Sequence, residues 1–194
     1  MTSRQLILAS SSRYRKELLS RLQIPFTTAS PSIDESRLEN ETPQQLVTRL
    51  SKCKANALAA TYPGALIIGS DQVAVCNDKI LGKSGTRENA IFQLQHCNGR
   101  SVFFYTGLCV LDTLQGQNDV SFDIFEVKFR SLSPDQIERY VDAERPFDSA
   151  GSFKAESLGI ALFEYMKGDD PTSLIGLPLI KLTHVLNQFG IQLP

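Results

Sequence analysis

Chemistry in this sequence is concentrated in six short segments. Ser10-Ser11-Ser12-Arg13-Tyr14-Arg15-Lys16 follows a short apolar run and opens a helical pattern. A helix N-terminus with free N–H groups and serine hydroxyls favours an anion, and Arg15 can add a bidentate phosphate contact. By itself this stretch reads as a serine-capped helix with solvated basic residues. It is not a P-loop, because the glycines and the Lys-Ser/Thr pair are missing.

Lys54 shares one stripe with Val47, Leu50 and Leu58 by 3 and 4 spacing. An ammonium there either snorkels to the surface or points into a cleft holding an anion. Asp71 follows Leu66-Ile67-Ile68-Gly69 and precedes Val73-Ala74-Val75. Aspartate disfavours strands and is costly in cores unless paired or metal-bound, so a functional role is expected of it. Such a residue at the carboxyl end of a strand faces the ligand crevice of open α/β folds. Glu35, Lys83, Lys154 and Glu156 lie in polar loops, where each alone reads as a solvated charge. With Asp71 and Lys54 they supply carboxylates for a hard cation and ammonium groups for phosphates, the makings of a nucleotide site.

The elements that must position these residues alternate in period. Strands are expected at Gln5–Ala9, Phe26–Ala29, Ala65–Cys76, Lys79–Leu81, Ser101–Leu111, Val120–Phe129 and Ile160–Met166. Asn77-Asp78 reads as a hairpin turn, and Leu114–Asn118 as the turn of an antiparallel pair. Helices are expected from Ser12 to Leu22, from Thr42 to about Ala60, from Thr86 to Cys97, from Ser133 to about Ala143 and from Ile175 to Phe189. Thr42-Pro43-Gln44-Gln45 and Ser133-Pro134-Asp135-Gln136 are capping boxes with proline at the first helical position. Glu144 to Glu156 reads as a polar loop. The whole predicts an α/β protein, a mixed β-sheet flanked by helices, in one domain over residues 1–194.

Composition removes other classes. The 194 residues carry 20 Lys+Arg against 21 Asp+Glu, a net charge of -1, too little positive charge for a dedicated nucleic-acid binder. No apolar run reaches the roughly 20 residues of a membrane span, and the first residues have no signal-peptide layout, so a cytoplasmic location and no membrane partner are expected. Four cysteines without a CxxC pair and two distant histidines exclude a zinc centre and a disulfide scaffold.

Together the segments Leu6–Ser10 to Leu18-Leu19, Ile33-Asp34-Glu35, Ile68-Gly69-Ser70-Asp71-Gln72, Gly82-Lys83, Gly151-Ser152-Phe153-Lys154-Ala155-Glu156 and Ile175-Gly176-Leu177-Pro178-Leu179 resemble the Maf family of nucleoside triphosphate pyrophosphatases. The match runs in order along nearly the whole chain. The resemblance implies an elongated, two-lobed, Maf/ITPase-like fold with a central cleft, often dimeric, and a divalent-metal requirement met by Mg2+ or Mn2+. It implies hydrolysis between the α and β phosphates of a nucleotide, with Asp71 as proton acceptor and Tyr14, Gln72 and Glu156 at the specificity positions. Ser10, Ser12 and Arg15 are expected on the substrate phosphates, Glu35, Lys54 and Lys83 in the catalytic set, and Glu35 and Asp71 at the metal. One branch, acting on dTTP and UTP, has an Arg-rich first motif, Asp-Thr in the second and Gln in the fifth. Tyr14, Asp71-Gln72 and Glu156 look instead like the branch acting on 7-methyl-GTP. Two positions depart from that pattern: Arg13 stands where the family usually has proline, and Tyr14 where the branch usually has tryptophan. A dTTP/UTP or inosine triphosphate pyrophosphatase, and a nucleotide-binding regulator of cell division without catalysis, are the alternatives.

Overall fold

Three strands of eleven residues or more carry the architecture: β3 (Leu66–Cys76), β5 (Ser101–Asp112) and β6 (Gln117–Phe129). The computed structural model describes residues 4–194. In it, β5 pairs antiparallel with both β3 and β6, and β6 pairs antiparallel with β7 (Phe163–Lys167). At the other side, β1 (Leu6–Ala9) is parallel to β3 and to β2 (Thr27–Ala29). The seven-stranded sheet runs β2-β1-β3-β5-β6-β7, with β4 (Lys79–Leu81) antiparallel to β3 off that path. This is the mixed α/β sheet expected from the sequence.

One edge of β3 is shared by two short partners. Leu66–Gly69 pair with β1, and Ala74–Cys76 pair with β4. Ser70, Asp71, Gln72 and Val73 lie in the interval where neither strand reaches. The sheet is therefore split at one edge, and the polar insert sits in the split.

Helices cover both faces. The first face, bearing Ile7, Ala9, Ile67, Cys109 and Leu111, packs under α2 (Pro43–Ala57). On the opposite face the long strands carry two separate cores. Leu66, Ile68, Leu108 and Val110 pack with α1 (Arg13–Ser20) and α6 (Leu179–Gln188). Ala74, Phe104, Phe125 and Val127 pack with α3 (Arg87–Cys97) and α4 (Pro134–Glu144). Between the two cores the same face is polar, with Ser70, Gln72, Thr106 and Asp123. These two cores are the two lobes.

Local signals hold at the helix starts. Ser12, Thr42, Thr86 and Ser133 all cap, and both capping boxes form. Asn77 and Asp78 take φ of 46° and 61°, the paired left-handed conformations of a tight hairpin turn. Two expectations fail. The predicted helix Ile175–Phe189 is instead α5 (Pro171–Ile175) and α6, separated by Gly176-Leu177-Pro178. Gly176 has φ 120°, and Pro178 cannot continue a helix it does not start. The predicted strand Ile160–Met166 begins as a 3-10 turn over Leu158–Leu162, and strand pairing starts only at Phe163. Gly159 permits that turn, since a Cβ there would lie 2.3 Å from the Lys154 carbonyl oxygen, which accepts the Gly159 N–H at 3.1 Å. β6 also starts three residues before Val120. All four cysteines are free and three are buried, and burial pushes the Cys109 thiol up to about 12. No helix among the described residues is long and apolar enough to cross a membrane.

Candidate active site

A cleft of about 500 Å³ opens where the edge of β3 is split. Its walls include every residue singled out from the sequence as catalytic, phosphate-binding or specificity-determining: Ser10, Ser12, Tyr14, Arg15, Glu35, Lys54, Asp71, Gln72, Lys83 and Glu156. They come from six separate segments of the chain.

The floor is an ionic cluster. Asp71 leaves β3 toward α2 and is buried. Lys54, also buried, sends its Nζ to 2.6 Å from Asp71 Oδ1 and 3.1 Å from Glu35 Oε1. Glu35 itself is 58% exposed, so the cluster joins a buried carboxylate to a solvent-facing one through a single ammonium. The lysine on the apolar stripe therefore reaches the cleft and does not snorkel outward.

Two glycines make this contact. A Cβ on Gly69 would lie 2.1 Å from the Ser51 carbonyl oxygen, and one on Gly107 would lie 2.3 Å from that of Val47. Both positions face α2, so α2 rests on bare backbone. Any side chain would lift it, and Lys54 with it, away from Asp71.

A second wall is built on α1. Ser10 is buried, and its Oγ accepts the Ser12 N–H at 3.1 Å. Ser12 in turn caps α1 by accepting the Arg15 N–H. Arg15 is half-buried and donates from Nε to the Gly176 carbonyl at 2.8 Å. Burial draws its guanidinium below the ordinary value, while Asp71 and Glu35 act in the opposite direction. An arginine so placed stays charged. Gln72, on the other face of β3 from Asp71, donates through Nε2 to Thr106 Oγ1 and to the carbonyls of Ser173 and Leu174 at 2.9, 2.7 and 3.1 Å. Its amide orientation is thus set by α5, and the break at Gly176 that ends α5 supplies the carbonyl that holds Arg15.

The third wall is the loop after α4. Phe153 is buried and meets Phe104, Phe129 and Phe163 edge-on, with ring centroids 5.2, 5.4 and 4.9 Å away. That plug anchors a loop expected to be merely polar and leaves Asp148, Ser149 and exposed Glu156 on the cleft. An isolated bridge between Lys83 and Ala150 brings exposed Lys83 alongside. Lys154 turns away, to Glu144 at 3.5 Å and Asp148 at 3.8 Å. Asp148 and Gly107 were not legible from spacing, because their partners are more than thirty residues away in the chain.

The cleft suits a hard cation only in part. Glu35 and Asp71 offer carboxylate oxygens about one shared ammonium. No group of three or more His, Cys, Asp or Glu gathers as a metal cage among the described residues. Two carboxylates fit a magnesium-like ion that takes its remaining ligands from water and phosphate.

The fold is that of a mixed-sheet α/β protein with a charged cleft at a split sheet edge. It resembles a HAM1 protein from Coxiella burnetii with a TM-score of 0.51 at 13% identity, over 96% of this chain and 100% of that one, a likeness of fold alone. The chain belongs to the Maf family: the family model, described as Maf-like protein, matches residues 5–189. It is 56% identical to the 7-methyl-GTP pyrophosphatase of Pseudomonas putida over 97% of this chain and 98% of that protein. It is 55% identical to the one of Alcanivorax borkumensis over 97% and 96% respectively.

Proposed function

We propose that this protein is a nucleoside triphosphate pyrophosphatase that hydrolyses 7-methyl-GTP to 7-methyl-GMP and pyrophosphate, removing a modified nucleotide from the pool. The observation that carries the reading is the Glu35–Lys54–Asp71 cluster at the floor of a cleft whose wall is a serine-capped, arginine-bearing helix start. The relatives' activity agrees with it.

The phosphates lie against the N-terminus of α1, where Ser10 and Ser12 offer hydroxyls and Arg15 a guanidinium. Lys83 approaches from the opposite wall, and Lys54 adds its charge from below. These contacts stabilise the charge that builds up as the α–β linkage breaks. Lys54 engages Asp71 Oδ1 and leaves Oδ2 to take a proton from the attacking water. The water oxygen bonds to phosphorus, the bridging P–O bond breaks, and pyrophosphate departs. Glu35 would hold Mg2+ or Mn2+ together with the substrate phosphates, and Asp71 would be the second carboxylate there only in place of its role as base, because Lys54 and the proton occupy both of its oxygens. Such an ion supplies charge neutralisation and a more acidic water. Catalysis is otherwise positioning and electrostatics.

Base selection falls to Tyr14, Gln72 and Glu156. A carboxylate such as Glu156 accepts from the guanine N1–H and exocyclic amine, donors that strengthen in a cationic ring. Thymine and uracil lack that edge. The test compares kcat/KM for 7-methyl-GTP, GTP, dTTP and UTP, in wild type and Glu156→Gln. The reading requires 7-methyl-GTP to lead, with the lead reduced in Glu156→Gln. Better activity on dTTP, or equal efficiency on GTP and 7-methyl-GTP, sinks the branch assignment. The same residues on one continuous sheet support reading the chain as one domain.

A further inference from the structure

Tyr14 stands between opposite charges. The Arg13 guanidinium lies 4.8 Å from its ring centroid and donates to its hydroxyl at 2.9 Å. The hydroxyl donates to Asp148 Oδ2 at 3.2 Å, and Arg13 approaches that carboxylate to 3.9 Å. All three residues line the cleft. We propose that Arg13 and Asp148 are specificity-determining residues that act in opposite senses on a cationic purine base, Arg13 against it and Asp148 for it. The inference rests on the reading of Tyr14 as a base-selecting residue, and adds that the base stacks on its ring.

Displacing Arg13 from its face of the ring taxes both bases alike, and the discrimination arises on the face of Tyr14 that Arg13 leaves open. On the face Arg13 occupies, the base must displace a guanidinium already attracted to the ring quadrupole. On the other face, a cationic base and the guanidinium sit on opposite sides of one ring and repel. A neutral guanine suffers the displacement but not the repulsion. Asp148 attracts a cationic ring held at Tyr14 and is indifferent to a neutral one. Arg13 therefore lowers the preference for 7-methylguanine over guanine, and Asp148 raises it. A proline at position 13 would carry no such charge.

The test measures the ratio of dissociation constants for 7-methyl-GMP and GMP by calorimetry, and the ratio of kcat/KM for the two triphosphates. It uses wild type, Arg13→Ala, Arg13→Gln and Asp148→Asn. Arg13 and Asp148 side chains are 65% and 54% exposed, so the variants should fold. The expected result is a ratio moved about two- to five-fold toward the methylated base in both Arg13 variants and the other way in Asp148→Asn, the size of an exposed cation–π contact. The shifts should shrink as salt is raised. A merely structural role for the trio would move both nucleotides alike and leave the ratio unchanged, which overturns the proposal, as does a shift of the same sign in both sets. The binding ratio is read even if wild type hydrolyses neither triphosphate, an outcome that would remove the proposed activity and not this inference.

Discussion

Gly107 lies directly opposite Asp71 across the β3–β5 ladder, on the face covered by α2. The residue with no side chain and the buried carboxylate are one device. Helix α2 descends onto Gly107 and Gly69, and that approach brings Lys54 Nζ to 2.6 Å from Asp71.

Gly107→Ala should therefore damage both stability and turnover. Its Cβ would meet a helix carbonyl oxygen at 2.3 Å, and backbone has little room to give. Overpacking of this kind costs about 1–3 kcal/mol. Urea unfolding with steady-state kinetics on the same variant checks it; a fully active variant of wild-type stability would show that α2 can shift without disturbing the cluster.

Asp71→Asn should abolish turnover with the fold intact. Asparagine keeps the size and can still meet Lys54, but it neither accepts a proton nor neutralises a cation. Loss of a general base lowers rates by about 10²–10⁴-fold. Circular dichroism and single-turnover rates decide it, and near-normal hydrolysis would end the assignment of Asp71. Lys54→Met is expected to raise KM or lower kcat for a triphosphate, since the lysine is turned toward the cleft.

Chelation should stop the reaction, and Mg2+ or Mn2+ should restore it, because both accept carboxylate oxygens. Glu35→Gln should raise the metal concentration needed for half-maximal rate. Undiminished hydrolysis in metal-free buffer would remove the metal from the scheme.

Acid stability should depend on Asp112 at the β5–β6 turn. This buried carboxylate accepts from Arg4 at 2.8 Å and from the Leu114 and Gln115 N–H groups at 2.8 and 3.1 Å. Arg4 first, then these amides, hold it below the usual carboxylate range. The folded state thus binds this proton less readily than the unfolded chain. The stability it contributes is complete above about pH 4 and is lost as pH falls through the depressed value. Asp112→Asn should lower stability at neutral pH and flatten the fall in urea midpoint between about pH 4 and 2. An unchanged acid limb would assign that fall to other carboxylates.

Much of the site was legible in the sequence because its signals are local. A helix start announces itself within four residues, so Ser12, Thr42, Thr86 and Ser133 were readable as caps. An aspartate inside an apolar strand, or a lysine on an apolar stripe, contradicts its own neighbourhood, so Asp71 and Lys54 stood out. Tertiary structure decided what depends on distant partners. That Lys54 turns inward follows from Gly69 and Gly107 meeting α2, and a glycine in a strand does not say what packs on it. That β3 is split follows from β1 and β4 being too short to meet. The Arg13–Tyr14–Asp148 contact joins residues 134 positions apart, and the break at Gly176 becomes functional only because its carbonyl receives Arg15. Periodicity reports which face of an element is buried. It carries no information on which element buries it, and so the chemistry could be listed from the sequence but assembled only by the fold.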